Sequence, residues 1–355
     1  MQANPPRRPY TTGNPETERK IAELLGIFPD TFDRSLLAEL MTSVYRLGLD
    51  RASTLDLKVL NSALKELRYA FRVFQPYRDV RKVAVFGSSR TPREEPTYQM
   101  ARRFGRLMAQ SGWMVITGAA SGIMKAGHEG AGRKASFGLN IRLPFEQEAN
   151  PVIAKDAKLI SCKYFFTRKL LFIKESHATA LFPGGFGTLD EGFESLTLVQ
   201  TGKSDPRPIV FVDHPDGHFW RPLLKFFQDR FLREGMISPH DQSIYQLARS
   251  PEQAAEMVKG FYRVYHSIRY VGDRLVIRLR RRLPEAMVEK LSRDYRDIIR
   301  SGRIQQGEAL GEEEESQADE PELQEMPRLI FRFNRKEFGR LTQMIHRINQ
   351  AVIIK

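Results

Sequence analysis

Phe182-Pro183-Gly184-Gly185-Phe186-Gly187-Thr188-Leu189-Asp190-Glu191 is the stretch on which the reading of this chain turns. The run just before it, Ala178-Thr179-Ala180-Leu181-Phe182, reads as a buried strand. After it, residues 191–200 place Phe193, Leu196 and Val199 on one face of a helix. A strand, a glycine loop and a helix in succession turn backbone N–H groups and a helix N-terminus toward an anion. Gly184, Gly185 and Gly187 let a ligand come closer to the backbone than a Cβ would. Thr188, at the helix start, can give its hydroxyl to a phosphate as well as cap the helix. Glu191 sits one turn further in. A carboxylate does not help to hold a phosphate, so its place here points to chemistry on the rest of a phosphorylated ligand. A plain strand-to-helix turn, with Asp190 and Glu191 complementing the helix dipole, would use the same residues.

The surrounding chain favours the ligand reading. Strands are predicted at 82–86, 113–117, 137–143, 177–182 and 208–212. Helices are predicted at 98–110, 123–134, 164–174 and 220–233. Such alternation implies an α/β fold, a doubly wound parallel sheet of Rossmann-like type with helices on both faces. Ligands there bind beyond the carboxyl ends of the strands. Three small-residue loops, 87–90, 118–122 and 183–188, each follow a strand and so meet on that one edge. Their convergence argues for a nucleotide or sugar-phosphate site.

The flanks carry no evident chemistry. Residues 1–16 are polar and proline-rich and read as a disordered tail; 17–79 read as a helical extension of two or three helices. The α/β unit is expected over 80–268 and a small α+β accessory domain over 269–355. In the latter, strands are predicted at 275–279 and 329–333, helices near 284–301 and 335–350, and an acidic flexible insertion at about 307–326. The basic run Arg278–Arg282 reads as a solvated strand edge.

Composition narrows the classes. Hydrophobic residues make up 41% of 355, enough for a real core, and no apolar run is long enough to cross a bilayer. The first residues lack the apolar core of a secretory signal. The single cysteine, Cys162, excludes an internal disulfide framework and suits a reducing compartment, so the cytoplasm is expected. A net charge of +13 suits any anionic ligand. No zinc-finger spacing or aromatic-interleaved RNA motif accompanies it, so nucleic acid is disfavoured as the main partner.

Several familiar motifs fail. After the first strand the chain reads Gly87-Ser88-Ser89-Arg90-Thr91-Pro92, not the dinucleotide fingerprint. Gly202-Lys203-Ser204 supplies only the tail of a P-loop, with Thr197 where its first glycine belongs. Ala119-Ala120-Ser121-Gly122 is not a hydrolase elbow. His214 and His218 with Asp213 and Asp216 read as a surface loop, and no metal or cofactor is expected.

Tyr164-Phe165-Phe166-Thr167-Arg168-Lys169 adds two adjacent cations on a helix. With it a family resemblance becomes plain. Pro183 to Glu191 resembles the P-G-G-x-G-T-x-x-E signature of the LOG family, the cytokinin-activating nucleoside 5′-monophosphate phosphoribohydrolases. Phe86-Gly87-Ser88-Ser89, Thr117 to Met124 and Tyr164 to Lys169 follow in the family's order, over roughly residues 80–262. The resemblance implies hydrolysis of the N-glycosidic bond of a purine or cytokinin-type nucleoside 5′-monophosphate, in a homodimer or higher oligomer, with no membrane partner. It places Arg168 and Glu191 in the catalytic positions. Gly184, Gly185, Gly187 and Thr188 become the phosphate loop, with Gly118, Ser121 and Gly122 opposite and Gly87, Ser88 and Lys169 as nucleotide contacts.

A carboxylate suits that reaction, because breaking the C1′–N bond builds positive charge on the ribose. The second loop departs from the family's G-G-G-x-G-I-M-E: Ala119 and Ala120 replace glycines and Lys125 replaces the glutamate, leaving base preference open. Two other readings share these residues. One is a nucleotide-sensing module without catalysis, and the other a single-stranded nucleic-acid binder exploiting the positive charge.

Overall fold

The computed structural model describes residues 10–29, 33–142, 148–311 and 321–351. Of the expected N-terminal tail, residues 1–9 lie outside these, as do Leu143 and positions 312–320 of the acidic insertion. The chain divides into two units, Met1–Glu66 and Leu67–Lys355.

In the first unit, helix α1 spans Pro15–Leu25, so the expected tail ends before residue 16. Asn14 caps it by accepting from the Glu16 and Thr17 N–H groups. Helix α2 is Arg34–Leu49, with Asp33 as its cap. Helix α3, Thr54–Phe74, begins in this unit and its residues from Leu67 on belong to the second; it starts on a reciprocal cap, the Asp56 N–H donating to Ser53 Oγ while the Ser53 N–H donates to Asp56.

The second unit is built on a seven-stranded parallel sheet. Its strands are β1 (Lys82–Phe86), β2 (Met114–Thr117), β3 (Ser136–Ile141), β4 (Leu159–Cys162), β5 (Ala178–Leu181), β6 (Ile209–Val212) and β7 (Tyr245–Ala248), in the order β4-β3-β2-β1-β5-β6-β7. The intervening helices are α4 (Pro96–Gln110), α5 (Ile123–Ala131), α6 (Phe165–Glu175), α7 (Phe186–Gln200), α8 (Trp220–Phe226) and α9 (Pro251–Gly260). The predicted helix over 220–233 passes at Phe227 into a wider π-type turn. Strands alternate their side chains between two cores. Ala84, Ile116, Phe137 and Leu181 join Phe74, Leu171 and Phe172 on one face, whereas Val83, Val85, Val115 and Ala180 join Phe104 and Met108 on the other. The fold is therefore Rossmann-like and doubly wound.

Strands β4 and β7 were not predicted. Both are four-residue edge strands with half-exposed positions, too short to show a period. The chain runs outward from β1 to β4 and then returns to place β5 on the other side of β1. This reversal between β1 and β5 is a topological switch point, where a crevice opens at the carboxyl ends of the strands.

A four-stranded antiparallel sheet follows, in the order β10-β11-β9-β8: β8 is Tyr265–Val271, β9 Arg274–Leu279, β10 Ile299–Gly307 and β11 Arg328–Phe333. Helices α10 (Glu285–Asp294) and α11 (Phe338–Asn349) cover its apolar face. The expected boundary at 268/269 falls inside β8. The helix predicted to 301 stops at Asp294, and Ile299 opens β10 instead. In the basic run Arg280, Arg281 and Arg282 are exposed as expected, but Arg278 lies in β9, which is flanked by β11 and β8, and is 5% exposed.

Candidate active site

Three loops close over the crevice at the switch point, and hydrogen bonds knit them together. The Ser88 N–H, after β1, donates to the Pro183 carbonyl at 3.0 Å, and the Ile123 N–H donates to the Ser88 carbonyl at 3.0 Å. The Ser121 hydroxyl donates to the Ser89 carbonyl at 2.9 Å. The loop after β1 is thus held from both sides. Gly122 makes that possible: its φ is +61°, and a Cβ there would stand 2.2 Å from the Ser88 oxygen. Gly184 is equally confined, since its Cβ would meet Thr188 Oγ1 at 2.2 Å.

Above this floor lies a cavity of about 630 Å³. Of the residues predicted from sequence, Gly87, Ser88, Gly118, Arg168, Gly185, Gly187, Thr188 and Glu191 line it. Ser121, Gly122 and Gly184 instead shape the loops beneath, and Lys169 faces elsewhere. The lining also includes Ser89, Arg90, Met124, Phe86 and Phe172, which the sequence did not single out, and Phe186, which is 93% exposed. Arg90 had one legible signal: it is the cation that closes the small-residue loop 87–90.

Arg168 and Glu191 face each other in the wall of this cavity. Helix α6 presents Arg168 and helix α7 presents Glu191, with Nη2 3.8 Å from Oε1. That separation is too long for a hydrogen bond. Glu191 is 2% exposed, and among the described residues neither Glu191 Oε1 nor Arg168 Nε has a hydrogen-bond partner. Buried polar atoms seldom go without a partner, so the pair keeps unused hydrogen-bonding capacity in the cavity wall. Burial pushes the Glu191 carboxyl up to about 7, against the opposing pull of the Arg168 and Lys169 charges. Burial also lowers Arg168 from its ordinary value, with Glu191 opposing. The guanidinium carbon lies 4.9 Å from the Phe165 ring centroid and 5.9 Å from that of Phe172, which fixes its direction.

The second loop shows what the replaced glycines do. Ala119 holds φ +61°, in the left-handed region that alanine disfavours, and is fully buried. It is kept there by its neighbours. Its N–H donates to Thr117 Oγ1 at 2.9 Å, and its carbonyl accepts from the Asn150 N–H at 2.8 Å and from Asn150 Nδ2 at 3.0 Å. Behind them sits His128, buried, within 3.1 Å of Thr117 Oγ1 and 3.0 Å of the Phe137 carbonyl. Burial lowers His128 to about 4, so it is neutral near pH 7. Lys125 points away from the cavity toward Glu129, at 4.0 Å.

The other candidates separate from this centre. Asp213 is a loop anchor, accepting from the His214 and Trp220 N–H groups. Among the described residues no group of three or more His, Cys, Asp or Glu side chains could hold a metal ion. None of the described helices is long and apolar enough to cross a membrane.

A family model described as "Possible lysine decarboxylase" matches residues 117–258. A cytokinin riboside 5′-monophosphate phosphoribohydrolase of Mycobacterium tuberculosis is 30% identical over 159 residues, covering 44% of this chain and 82% of that protein. This chain belongs to the LOG family. A second LOG relative, a probable phosphoribohydrolase of the same name from Oryza sativa subsp. japonica, is 29% identical over 186 residues, covering 51% of this chain and 73% of its own. Among solved structures, the molybdenum cofactor binding protein from Rippkaea orientalis is similar at 22% identity and a TM-score of 0.34, over 51% of this chain and 94% of that one. Of the stretch 183–191, Gly185, Phe186, Gly187, Thr188 and Glu191 line the cavity.

Proposed function

We propose that this chain hydrolyses the N-glycosidic bond of a nucleoside 5′-monophosphate of purine or cytokinin type, releasing the free base and ribose 5-phosphate. The observation that carries the reading is the buried Arg168–Glu191 pair in the wall of a cavity floored by glycine loops and a helix N-terminus. In this reading the 5′-phosphate lies against the first turn of α7, near Thr188, Gly185 and Gly187, where the helix dipole favours an anion.

With the phosphate held there, the ribose is fixed against Glu191. As the C1′–N bond lengthens, its electron pair leaves with the base nitrogen and positive charge grows at C1′. The ionised Glu191 stabilises that charge and accepts a proton from the water whose oxygen bonds to C1′. The departing nitrogen takes up one proton, so water is divided between the two products. Arg168 orients the carboxylate and holds the nucleotide. A carboxyl at about 7 is half ionised at neutral pH, which suits a group that must both accept and return a proton. Homo-oligomer formation and a cytoplasmic location belong to the same reading, the latter resting on the single cysteine.

The test is incubation of the purified protein with AMP, GMP, CMP and isopentenyl-AMP, with chromatographic detection of free base. Base release that is lost in Glu191→Ala and in Arg168→Ala supports the reading. Nucleotide binding without release from any of them would replace it with a nucleotide sensor.

A further inference from the structure

Helices α6 and α7 lie on the same face of the sheet and share one core through Leu171, Phe172 and Val199. Apolar packing of this kind is non-directional and does not by itself set how far one helix has slid along the other. Yet the reaction needs Arg168 and Glu191 at one separation, and each is carried by a different helix. A polar link between the helices stands directly beside them. Lys169, next to Arg168, has its ammonium 2.6 Å from Glu194 and 2.9 Å from Asp190, the residue preceding Glu191. Asp190 and Glu194 are one helical turn apart and would repel each other without a cation between them. The Lys169 side chain is 18% exposed and does not line the cavity.

We infer that Lys169 is a positioning residue: it straps α6 to α7 across Asp190 and Glu194 and so sets the placement of Glu191 against Arg168. The inference rests on the phosphoribohydrolase reading for its kinetic consequence, though the strap itself does not. The charged groups facing Glu191 are Arg168 and Lys169 from α6 and Asp190 and Glu194 from α7, with Arg90 on the rim of the same cavity. Removing the ammonium leaves two uncompensated carboxylates beside Glu191, which raises the pH at which it ionises.

The experiment compares Lys169→Met, Lys169→Arg and Glu194→Gln in the full chain. In Lys169→Met, kcat for nucleoside monophosphate hydrolysis should fall about tenfold or more, since a displacement near 1 Å can cost about a hundredfold, while KM changes less than about threefold. The acidic limb of the kcat profile should move to higher pH, and Lys169→Arg should recover most of the rate. Glu194→Gln should also lower kcat but move that limb to lower pH. A KM raised about tenfold with kcat and its pH profile unchanged would make Lys169 a nucleotide contact and overturn the proposal. Titration of Glu191 by carbon-13 NMR, assigned through its loss in Glu191→Gln, reads the strap without turnover. Opposite displacements of its midpoint in Lys169→Met and Glu194→Gln support it, and no displacement refutes it. If the parent chain releases no base, the functional reading fails while this titration still judges the strap.

Discussion

Replacing Glu191 by glutamine should stabilise the fold and abolish turnover at the same time, and the stabilisation should grow with pH. The carboxyl is 2% exposed and titrates at about 7, against an ordinary 4.5. A carboxyl whose folded pKa is raised gives its full contribution to stability below 4.5, where both states are protonated. That contribution is lost as pH rises through about 7. Across the gap of about 2.5 units, at about 1.36 kcal/mol each, the ionised side chain costs the fold about 3 kcal/mol by pH 8, and less than about 1 kcal/mol at pH 5. Glutamine has nearly the same shape and carries no charge, so it avoids this cost. Thermal unfolding of both proteins at pH 5 and pH 8 measures it: the advantage of Glu191→Gln should widen by about 5 °C between the two. An advantage that is equal at both pH values, or a variant less stable at pH 8, would refute the argument from burial. In the same variant kcat should drop by about 10²–10⁴. In the parent, kcat should rise with pH until about 7 and then level, because the proposed step uses the ionised carboxylate.

Arg168→Lys should cost about a hundredfold in kcat/KM with little change in melting temperature, because an ammonium cannot reproduce the planar guanidinium held beside Phe165 and Phe172; base-release kinetics and a thermal scan check both halves. Gly122→Ala should destabilise by about 2 kcal/mol or more in urea unfolding and raise KM, since it combines a positive φ with a Cβ 2.2 Å from the Ser88 oxygen. Burial holds His128 at about 4 and His177 at about 3, below the ordinary 6.5. Their contribution to stability is therefore present above 6.5 and is lost as pH falls toward 4, at up to about 1.4 kcal/mol per unit for each. Melting temperatures should drop over that window, and His177→Asn, which keeps an acceptor for the Lys82 N–H, should flatten the drop.

Much of the site was legible because its parts are local. Strands β1, β2 and β5 are short, mainly apolar runs, each followed by a glycine-bearing loop, and that pattern alone brings Ser88, Gly118 and Thr188 to one sheet edge. Glu191 and Arg168 could be named because each sits in a dense motif. The missed strands have no such signature. Strand β10, Ile299–Gly307, is mostly polar and exposed, so it has the composition of a loop, and the predicted helix takes in only its first residues, to 301. Strand β8 carries His266, Ser267 and Arg269 between its buried positions, and its pairing with β9 is what makes it a strand. Arg278 was read as solvated because nothing local reveals that β11 and β8 flank its strand.

By itself, then, the sequence determined the α/β class and the sheet edge on which the three small-residue loops meet. These follow from periods of two and of 3.6 residues and from glycine placement, which act over a few residues. Tertiary structure decided the rest. It turned Lys169 from the cavity to Asp190 and Glu194, held Ala119 in a left-handed conformation through Asn150, and dried the surroundings of Glu191 until its carboxyl titrates near neutrality. Each of these depends on which distant segments meet and on how much water they exclude, quantities that no neighbour along the chain encodes.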